Sequence, residues 1–387
     1  MAPWRLDVTV PQPGAVSDAG DERTPPSQLF QLLRAVPGWG DAVAADHVRL
    51  RQLGGAMSNH VFSLTHVEAK GPALLLRLYG FVDDPAGDNS AQLFSRSREV
   101  SVATLVADLR LGPHCYVVFA NGRLEQLLEQ LPLTSPLMRT RAVSRVIAVA
   151  VANFHLRVTP PLFAAGGGDN ELWARLRKWH RLATEVMPEH EALEAAGRAV
   201  SELEAECQSW EQSGRPGSHV VFGHADLQHL NMLAPSDMST VTLIDYEYAM
   251  RAPAAYDVGN HWCEWAADYA CNAPGGMLNY PERYPCHASR VAFCLDYLAA
   301  LSAGHDDVAG DQPPPAESLA AGAAALAAAA DRYALASHLL WGFWGVIQAR
   351  KCSVAWDFLG YAKLRFEEHA AHRARLVQQQ AAMTGAV

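Results

Sequence analysis

The sequence predicts an α+β protein in which a small β-rich segment precedes a large, mainly helical one. Residues 28–124 contain short apolar runs bounded by glycine and asparagine turns, with one helical pattern among them. From residue 125 onward, apolar residues recur at helical spacing over long stretches. The 387 residues suffice for two domains or one large two-lobed domain, and 50% of them are hydrophobic. We therefore expect an N-lobe (28–124), a C-lobe (125–387) and a ligand cleft between them.

The first 27 residues differ from the rest of the N-terminal part. They are rich in proline, glycine and aspartate and are predicted to form a disordered arm, with at most a short strand at 4–10. The N-lobe that follows is predicted to contain strands at 48–53, 61–65, 74–79 and 116–119, and a helix at 97–109. Asn121-Gly122 after the last strand is typical of a tight turn.

The C-lobe is predicted mainly from helical periodicity. The predicted helices span 144–154, 172–186, 191–213, 288–300, 317–340 and 361–380. A loop is predicted at 304–318, because this stretch contains three consecutive prolines. Two short apolar runs, at 221–222 and 241–244, are predicted to be strands.

Composition excludes several classes of protein. The chain has 41 acidic and 31 basic side chains, a net charge of −10, which disfavours a nucleic-acid partner. Its seven cysteines are scattered and form no Cys-x-x-Cys pair, which indicates a reducing compartment. The apolar run at 319–330 is too short to span a bilayer, and no secretory signal is evident. We expect a cytoplasmic protein without membrane insertion.

The segment 220–264 carries the chemistry. A strand leads into Gly223-His224-Ala225-Asp226-Leu227-Gln228-His229-Leu230-Asn231, and a second strand leads into Asp245-Tyr246-Glu247. Phosphoryl transfer requires a carboxylate that orients and deprotonates the attacking hydroxyl, together with hard oxygen ligands for Mg²⁺. Asp226 fits the first role, and Asn231 and Asp245 fit the second. Aspartate and asparagine are also common in turns, but here both flanking strands and a second acid accompany them.

These motifs resemble a known family. His224–Asn231 resembles the His-x-Asp-x4-Asn motif of kinase-like phosphotransferases, and 244–249 with 256–264 is similar to the signature of choline and ethanolamine kinases. The likeness runs from about residue 48 to residue 368. It implies a protein-kinase-like two-lobed fold and Mg²⁺-dependent transfer of the ATP γ-phosphate to the hydroxyl of choline or ethanolamine. That reaction is the first step of phospholipid head-group synthesis.

The resemblance also implies a set of ATP-binding residues. Gly54-Gly55 opens a loop that resembles the family's phosphate-covering loop, in which backbone N–H groups can cradle phosphates. Arg77 occupies the nucleotide-phosphate position, and Glu99 is its expected ion-pair partner, although a solvated helix face would also explain that glutamate. Gln126 begins the hinge at 126–132. The implied ATP-binding residues are Gly54, Gly55, Met57, Ser58, Asn59, Arg77, Glu99, Gln126 and Gln228.

Aromatic residues near the C-terminus match the family's amine-binding positions. Helical spacing places Trp341 and Trp344 on one face, a pattern that composition alone would assign to the core. A quaternary ammonium prefers ring faces, and a carboxylate can balance its charge. The implied amine-binding residues are Glu264, Tyr269, Trp341, Trp344, Trp356 and Tyr361. The sequence leaves the choice between choline and ethanolamine open, with a dual enzyme favoured.

Two positions depart from the family pattern. Ala225 stands where the family usually has asparagine, and 249–253 replaces a Tyr-Asn region, so the shape of that loop is in doubt. Asp257 is interpreted as a structural acid that fixes the catalytic loop. Two alternatives remain: a kinase of the same fold acting on another small amine or an aminoglycoside, and an inactive nucleotide-binding scaffold. Members of the family are often dimers, and the sequence itself leaves open whether this chain forms a homodimer.

Overall fold

The computed structural model describes most of the chain. The described residues are 3–11, 22–40, 45–53, 59–67, 71–83, 91–159, 170–212, 217–269, 277–278, 282–309, 315–352 and 354–384. They form two compact units, of which the first comprises Met1–Gln130 with Ile244–Glu247 and the second comprises Leu131–Leu243 with Tyr248–Val387. The sequence predicted a boundary after residue 124. The first unit extends to Gln130 and also takes in Ile244–Glu247, which follow a strand of the second unit.

The first unit is built on a seven-stranded sheet. Its strands are β1 (Trp4–Leu6), β2 (Glu22–Arg23), β3 (Val48–Leu53), β4 (Asn59–His66), β5 (Leu74–Tyr79), β6 (Cys115–Phe119) and β7 (Gly122–Gln126). Its helices are α1 (Ser27–Leu33) and α2 (Arg96–Asp108), with a 3-10 turn at Ala45–His47. The strand order is β1-β6-β7-β5-β4-β3-β2, and only the β1–β6 pair is parallel.

The predicted disordered arm is partly ordered, which corrects the sequence interpretation. Trp4–Leu6 pairs with the edge of β6, with Trp4 opposite Val117. Val10 is fully buried, and its backbone exchanges two hydrogen bonds with the Asn121 side chain, at 2.9 and 2.8 Å. The edge strand β6 offers unpaired backbone groups, and a short extended segment satisfies them despite its polar composition. Residues 12–21 of the arm lie outside the described residues.

Leucine-rich strands form the core of the first unit. Leu74, Leu76 and Leu78 of β5 are buried, and they pack in one cluster with the α1 leucines. Because β5 lies in the middle of the sheet, both of its faces are covered and its sequence is a nearly continuous apolar run. Arg77 is the charged residue of this strand, and it is buried as well.

The second unit is mainly helical. Its helices are α3 (Ser135–Met138), α4 (Arg141–Arg157), α5 (Leu172–Val186), α6 (Leu193–Gln212), α7 (Ala254–Trp265), α8 (His287–Ala309), α9 (Ala316–Lys351) and α10 (Phe358–Thr384). Its short strands are β8 (Leu131–Pro132), β9 (Val220–Gly223), β10 (Met232–Ala234), β11 (Thr242–Leu243), β12 (Met250–Pro253), β13 (Ala267–Asp268) and β14 (Met277–Leu278). A 3-10 turn at His229–Asn231 connects β9 to β10.

Helix α9 forms the centre of the second unit, and its alanine-rich sequence explains its position. It packs against α5, α6, α7, α8 and α10. A side chain at Gly259 of α7 would overlap the backbone carbonyl of Ala330, so these two helices approach more closely than larger residues would allow. The predicted loop at 304–318 is wrong for its described residues, because α8 continues to Ala309 and α9 begins at Ala316. Proline is tolerated just before a helix, and Pro315 is the N-cap residue of α9.

Two small sheets hold the segment that carries the predicted catalytic motif. β9 pairs antiparallel with β12, with Met250 opposite Gly223, and β10 pairs with both β8 and β11. The stretch 249–253, whose loop shape was in doubt, therefore contains a regular strand. Within the described residues, none of the helices combines the length and the apolar composition needed to cross a bilayer.

Candidate active site

The predicted base and one predicted metal ligand are in direct contact. The Asn231 side-chain amide donates to the Asp226 carboxylate (Nδ2 to Oδ2, 2.8 Å) and to the Asp226 backbone carbonyl (3.0 Å). Gln228 reaches the same carboxylate oxygen at 3.4 Å. Because the amide nitrogen of Asn231 is oriented by Asp226, the chemistry of the side chain leaves its oxygen as the atom able to bind a cation.

Helix α7 fixes the backbone of this catalytic loop (224–231). The Asp257 carboxylate accepts hydrogen bonds from the amides of His224 and Ala225, both at 2.6 Å, and from Nε2 of His155 at 2.9 Å. Burial alone would raise the pKa of Asp257, but the His155 hydrogen bond and the backbone amides outweigh it and hold the pKa below its ordinary value. The structural role expected for Asp257 therefore has a geometric basis.

Two further residues of α7 hold the centre of the loop. Asn260 accepts a hydrogen bond from the Leu227 amide at 2.9 Å, and Nδ1 of His261 lies 3.1 Å from the Leu227 carbonyl. Trp265 donates to Nε2 of His261 at 3.1 Å, so the imidazole is neutral with its proton on Nδ1. Both backbone groups of Leu227, the residue after the predicted base, are thus fixed by side chains.

The loop contains a backbone conformation that is unusual for its residue. Ala225 has φ +64°, in the left-handed region, immediately before Asp226. Non-glycine residues rarely adopt this region, with asparagine among the better tolerated, which gives a physical reason for the asparagine usual in the resembling family. Here the Asp257 hydrogen bond to the Ala225 amide holds the conformation instead.

The predicted aromatic positions form a continuous cluster in the second unit. Trp341 and Trp344 lie 5.6 Å apart between ring centroids, Trp344 and Tyr361 lie 6.0 Å apart, and Tyr361 lies 5.3 Å from Trp356. Tyr269 extends the cluster, 6.3 Å from Tyr361. Of these five residues, Trp341, Trp344 and Tyr361 are buried.

His229 connects the aromatic cluster to the catalytic loop. Its ring is nearly parallel to that of Tyr269, with centroids 6.0 Å apart. Because His229 follows Asp226 by three residues, the ring cluster and the predicted base belong to one local structure. Glu264, another predicted amine-binding residue, accepts a hydrogen bond from the Tyr269 hydroxyl at 2.6 Å.

In the first unit, the predicted phosphate-binding arginine has a different partner from the one expected. Nε and Nη2 of Arg77 both donate to Glu125, at 3.2 Å. Glu99 instead pairs with Arg123 (2.8 Å) and Arg96 (3.2 Å), and Arg123 bridges to Glu125 at 2.7 Å. No ion pair joins Arg77 to Glu99 among the described residues, so that predicted pair is wrong. The reason is register: Arg77 lies opposite Arg123 on β7, which brings Glu125 within reach of both.

This buried network is electrostatically balanced. Burial would raise the pKa of Glu125, but Arg123 and Arg77 outweigh it and hold the pKa below its ordinary value of 4.5. Burial would lower the pKa of Arg77, and the carboxylate of Glu125 reverses that effect. Arg77 therefore stays charged at a buried position, as a phosphate-binding residue must.

Asp245, the second predicted metal ligand, belongs to the first unit and offers an oxygen for a cation. Its Oδ1 atom is buried and has no hydrogen-bond partner in the described part of the chain. Its backbone has φ +67°, so Asp245, like Ala225, adopts the left-handed region. A buried carboxylate oxygen without a donor is costly unless a ligand satisfies it, and Mg²⁺ prefers such hard oxygens. The Asp245 carboxylate of the first unit and the Asn231 amide of the second unit each offer an oxygen of the kind that Mg²⁺ prefers.

The structure describes three of the remaining predicted ATP-binding residues, Asn59, Gln126 and Gln228. Gly54, Gly55, Met57 and Ser58 lie outside the described residues. Asn59 begins β4 and is buried. Gln126 ends β7, and its side chain accepts a hydrogen bond from the His114 amide at 3.4 Å, while Gln228 lies beside Asp226. Their roles toward ATP stay predictions.

Comparison with known proteins decides the family. A family model described as choline/ethanolamine kinase matches residues 50–370. The chain belongs to this family. It is 30% identical over 361 residues to the Arabidopsis thaliana protein named probable choline kinase 2, covering 91% of this chain and 93% of that relative. It is 29% identical over 343 residues to the human choline/ethanolamine kinase, covering 86% of this chain and 82% of that relative.

The fold of the choline/ethanolamine kinase family is confirmed by a solved structure. The choline kinase from Cryptosporidium parvum Iowa II matches with a TM-score of 0.75 at 22% identity, covering 91% of this chain and 96% of that one. At this identity the likeness shows the fold alone. The predicted family and the predicted protein-kinase-like α+β fold class are both confirmed.

Sequence reasoning missed several residues that contact the predicted site residues within each unit. Tyr248 lies 5.2 Å from Trp341 between ring centroids, and its hydroxyl accepts a hydrogen bond from Trp344 at 2.9 Å. Its position directly after Asp245-Tyr246-Glu247 was an available signal. Arg123 and Glu125 flank Leu124 in the short strand β7, and nothing in the sequence indicated that both charged side chains are buried. Asn260, His261 and Arg365 gave no local signal.

Proposed function

We propose that this chain transfers the γ-phosphate of ATP to the hydroxyl of choline, with ethanolamine as a second acceptor. The proposal rests on membership of the choline/ethanolamine kinase family. The observation that carries it is the Asp226–Asn231 pair in a loop fixed by α7, with the aromatic cluster attached through His229 and Tyr269. This arrangement supplies a base and a site for a cationic amine in one local structure.

Asp226 acts on the hydroxyl of the amino alcohol. Its carboxylate orients the hydroxyl oxygen toward the γ-phosphorus and accepts the proton as the new P–O bond forms and the bond to ADP breaks. The Asn231 amide fixes the rotamer of Asp226 through the 2.8 Å hydrogen bond. Positioning of this kind accounts for most of the acceleration in phosphoryl transfer.

Asn231 and Asp245 are proposed to hold the metal through an amide and a carboxylate oxygen. Bound Mg²⁺ would neutralise negative charge on the transferred phosphoryl group. Arg77 binds a nucleotide phosphate, because Glu125 keeps its guanidinium charged and oriented while taking only two of its five N–H donors.

The aromatic cluster binds the amine. The rings of Trp341, Trp344 and Tyr361 lie in a buried environment, where a cation–π contact contributes about 2 kcal/mol or more.

We propose that the enzyme is cytoplasmic and acts at the start of phospholipid head-group synthesis. That it forms a homodimer stays a prediction from the family.

The proposed base is tested by Asp226→Asn and Asp226→Ala. ADP release, coupled to NADH oxidation, is measured with saturating Mg²⁺-ATP and either choline or ethanolamine. General-base catalysis contributes about 10²–10⁴-fold, so we expect both variants to lose at least about 100-fold in kcat with either amine.

Asp237→Ala is the matched control. Asp237 is an exposed acid in the turn after β10 that accepts a hydrogen bond from the Ser239 amide, and its loss should leave kcat within about twofold. Wild-type turnover by Asp226→Ala would refute the role of Asp226. Turnover of aminoglycosides but of neither choline nor ethanolamine by the wild type would refute the substrate.

A further inference from the structure

A buried arginine is paired with Glu264, the carboxylate that the sequence predicted to bind the amine. Arg365 of α10 is fully buried and forms an ion pair with Glu264 through Nη2 and Oε1. Its Nε donates to the Tyr361 hydroxyl at 3.0 Å, and its guanidinium carbon lies 5.0 Å from the centre of the Tyr361 ring. Glu264 is itself only 2% exposed.

The second oxygen of Glu264 is also occupied. The Tyr269 hydroxyl donates to Oε2 at 2.6 Å. Burial, with the Glu264 carboxylate beside it, holds the pKa of Tyr269 well above its ordinary value, so the phenol remains a donor. Arginine is always charged in proteins. Both oxygens of Glu264 therefore have protein donors, and its charge is already balanced by a protein cation.

This pairing affects the two candidate amines differently. A primary ammonium carries three N–H donors and loses free energy when it is buried without acceptors. A quaternary ammonium carries no donors and needs only ring faces. A carboxylate whose two oxygens already accept hydrogen bonds from Arg365 and Tyr269 has little capacity to accept one from a primary ammonium. A quaternary ammonium donates no hydrogen bond, so it loses little from this pairing.

We propose that Arg365 is a specificity-determining residue which, with the Tyr269 hydroxyl, withholds Glu264 from the substrate and so selects methylated amines over primary ones. The inference rests on the proposed function, because it refines the amine that the same site takes. It assigns Arg365 a positioning role, since the guanidinium acts through Glu264.

The test measures dissociation constants of choline and ethanolamine by titration calorimetry, alongside kcat/KM for both. We expect the wild type to bind choline more tightly. Arg365→Met should shift the affinity ratio toward ethanolamine by about tenfold or more, the effect of gaining one hydrogen bond to a charged group. In Arg365→Met the freed Glu264 carboxylate attracts both ammonium groups by its charge. The ratio of the two affinities therefore reports the hydrogen bond that only ethanolamine can donate.

Two further variants keep the test decisive. Tyr269→Phe retains the ring and frees Oε2, so it should shift the ratio in the same direction even where Arg365→Met fails to fold. Arg365→Lys retains the cation and should keep the ratio near that of the wild type. Loss of choline preference in Arg365→Lys would overturn the charge-pairing account.

Arg290→Met is the matched control, because Arg290 forms another buried ion pair in the second unit, with Asp331. It should lower stability and leave the ratio within twofold. A ratio unchanged by both Arg365→Met and Tyr269→Phe, or a wild type that prefers ethanolamine, would overturn the inference. Choline binding without phosphorylation would refute the proposed function alone, because the affinity ratio would still report on Arg365.

Discussion

Trp344 is the residue at which a core role and a ligand-binding role can be separated. It is buried, which suits either role, but its indole nitrogen donates to Tyr248 and its ring lies in the cluster that ends at the catalytic loop. A tryptophan of the core would contribute to stability only. One that binds the amine would also affect the affinity for the amine.

We expect Trp344→Phe to raise the KM for choline about three- to tenfold and to leave the KM for ATP unchanged. Phenylalanine binds a cation more weakly than tryptophan, and the loss of the indole also removes the hydrogen bond to Tyr248. Steady-state kinetics with each substrate varied in turn would measure this.

Trp173→Phe is the control for that substitution. Trp173 is a buried tryptophan of α5 that packs against Tyr333, and its replacement should change neither KM. Equal shifts in the KM of choline and ATP for Trp344→Phe would indicate a core tryptophan instead.

At the scale of elements, α7 determines the shape of the catalytic loop. Asp257, Asn260 and His261 lie on one face of this helix and hold three loop residues on either side of Asp226, namely His224, Ala225 and Leu227. Asp257 is supported in turn by His155 of α4, whose Nδ1 lies 2.8 Å from the Tyr297 hydroxyl of α8. Three helices thus fix the backbone on either side of the base.

Asp257→Asn should lower kcat at least about tenfold with little change in either KM. The amide retains one acceptor atom, so one of the two backbone N–H groups at His224 and Ala225 loses its partner and the left-handed conformation loses support. Kinetics of the purified variant, with circular dichroism to verify folding, would test this. An unchanged kcat would mean that the loop holds its shape without the carboxylate.

The whole molecule should become less stable as the pH falls, and two sets of buried groups contribute to this in different pH ranges. Burial lowers the pKa of His261 from 6.5 to about 4. The unfolded chain therefore binds this proton first, and stability that is complete above pH 6.5 declines toward pH 4, by about 3 kcal/mol from this residue. Glu99 and Glu125 have pKa values below their ordinary 4.5, so their contribution is present above pH 4.5 and is lost as the pH falls through the lower folded values.

Urea unfolding between pH 8 and pH 4 would measure this dependence. His261→Asn, which can keep the hydrogen bond to Leu227, should flatten the curve between pH 6.5 and pH 4 relative to the wild type. The same slope in wild type and variant would show that His261 is not the group that titrates.

The sequence by itself determined the family and the fold class, and it supplied the prediction of which residues carry the chemistry. The reason is that the Asp226–Asn231 motif, the acid at Asp245 and the strands around them are local patterns, and side-chain chemistry at fixed spacing can be interpreted without coordinates. The strands at 48–53 and 74–79 and the helix at 172–186 were also predictable to the residue, because 48–53 and 172–186 have a clear apolar period and 74–79 is a nearly continuous apolar run.

The tertiary structure alone decided which side chains pair. Glu125 rather than Glu99 contacts Arg77 because of strand register, and Arg365 reaches Glu264 across 101 positions of the chain. The edge strand at Trp4–Leu6 forms because β6 provides partners that lie more than 100 residues away. Such pairings depend on long-range contacts, and the free energy of a buried charge depends on all of its neighbours, so no local pattern in the chain encodes them.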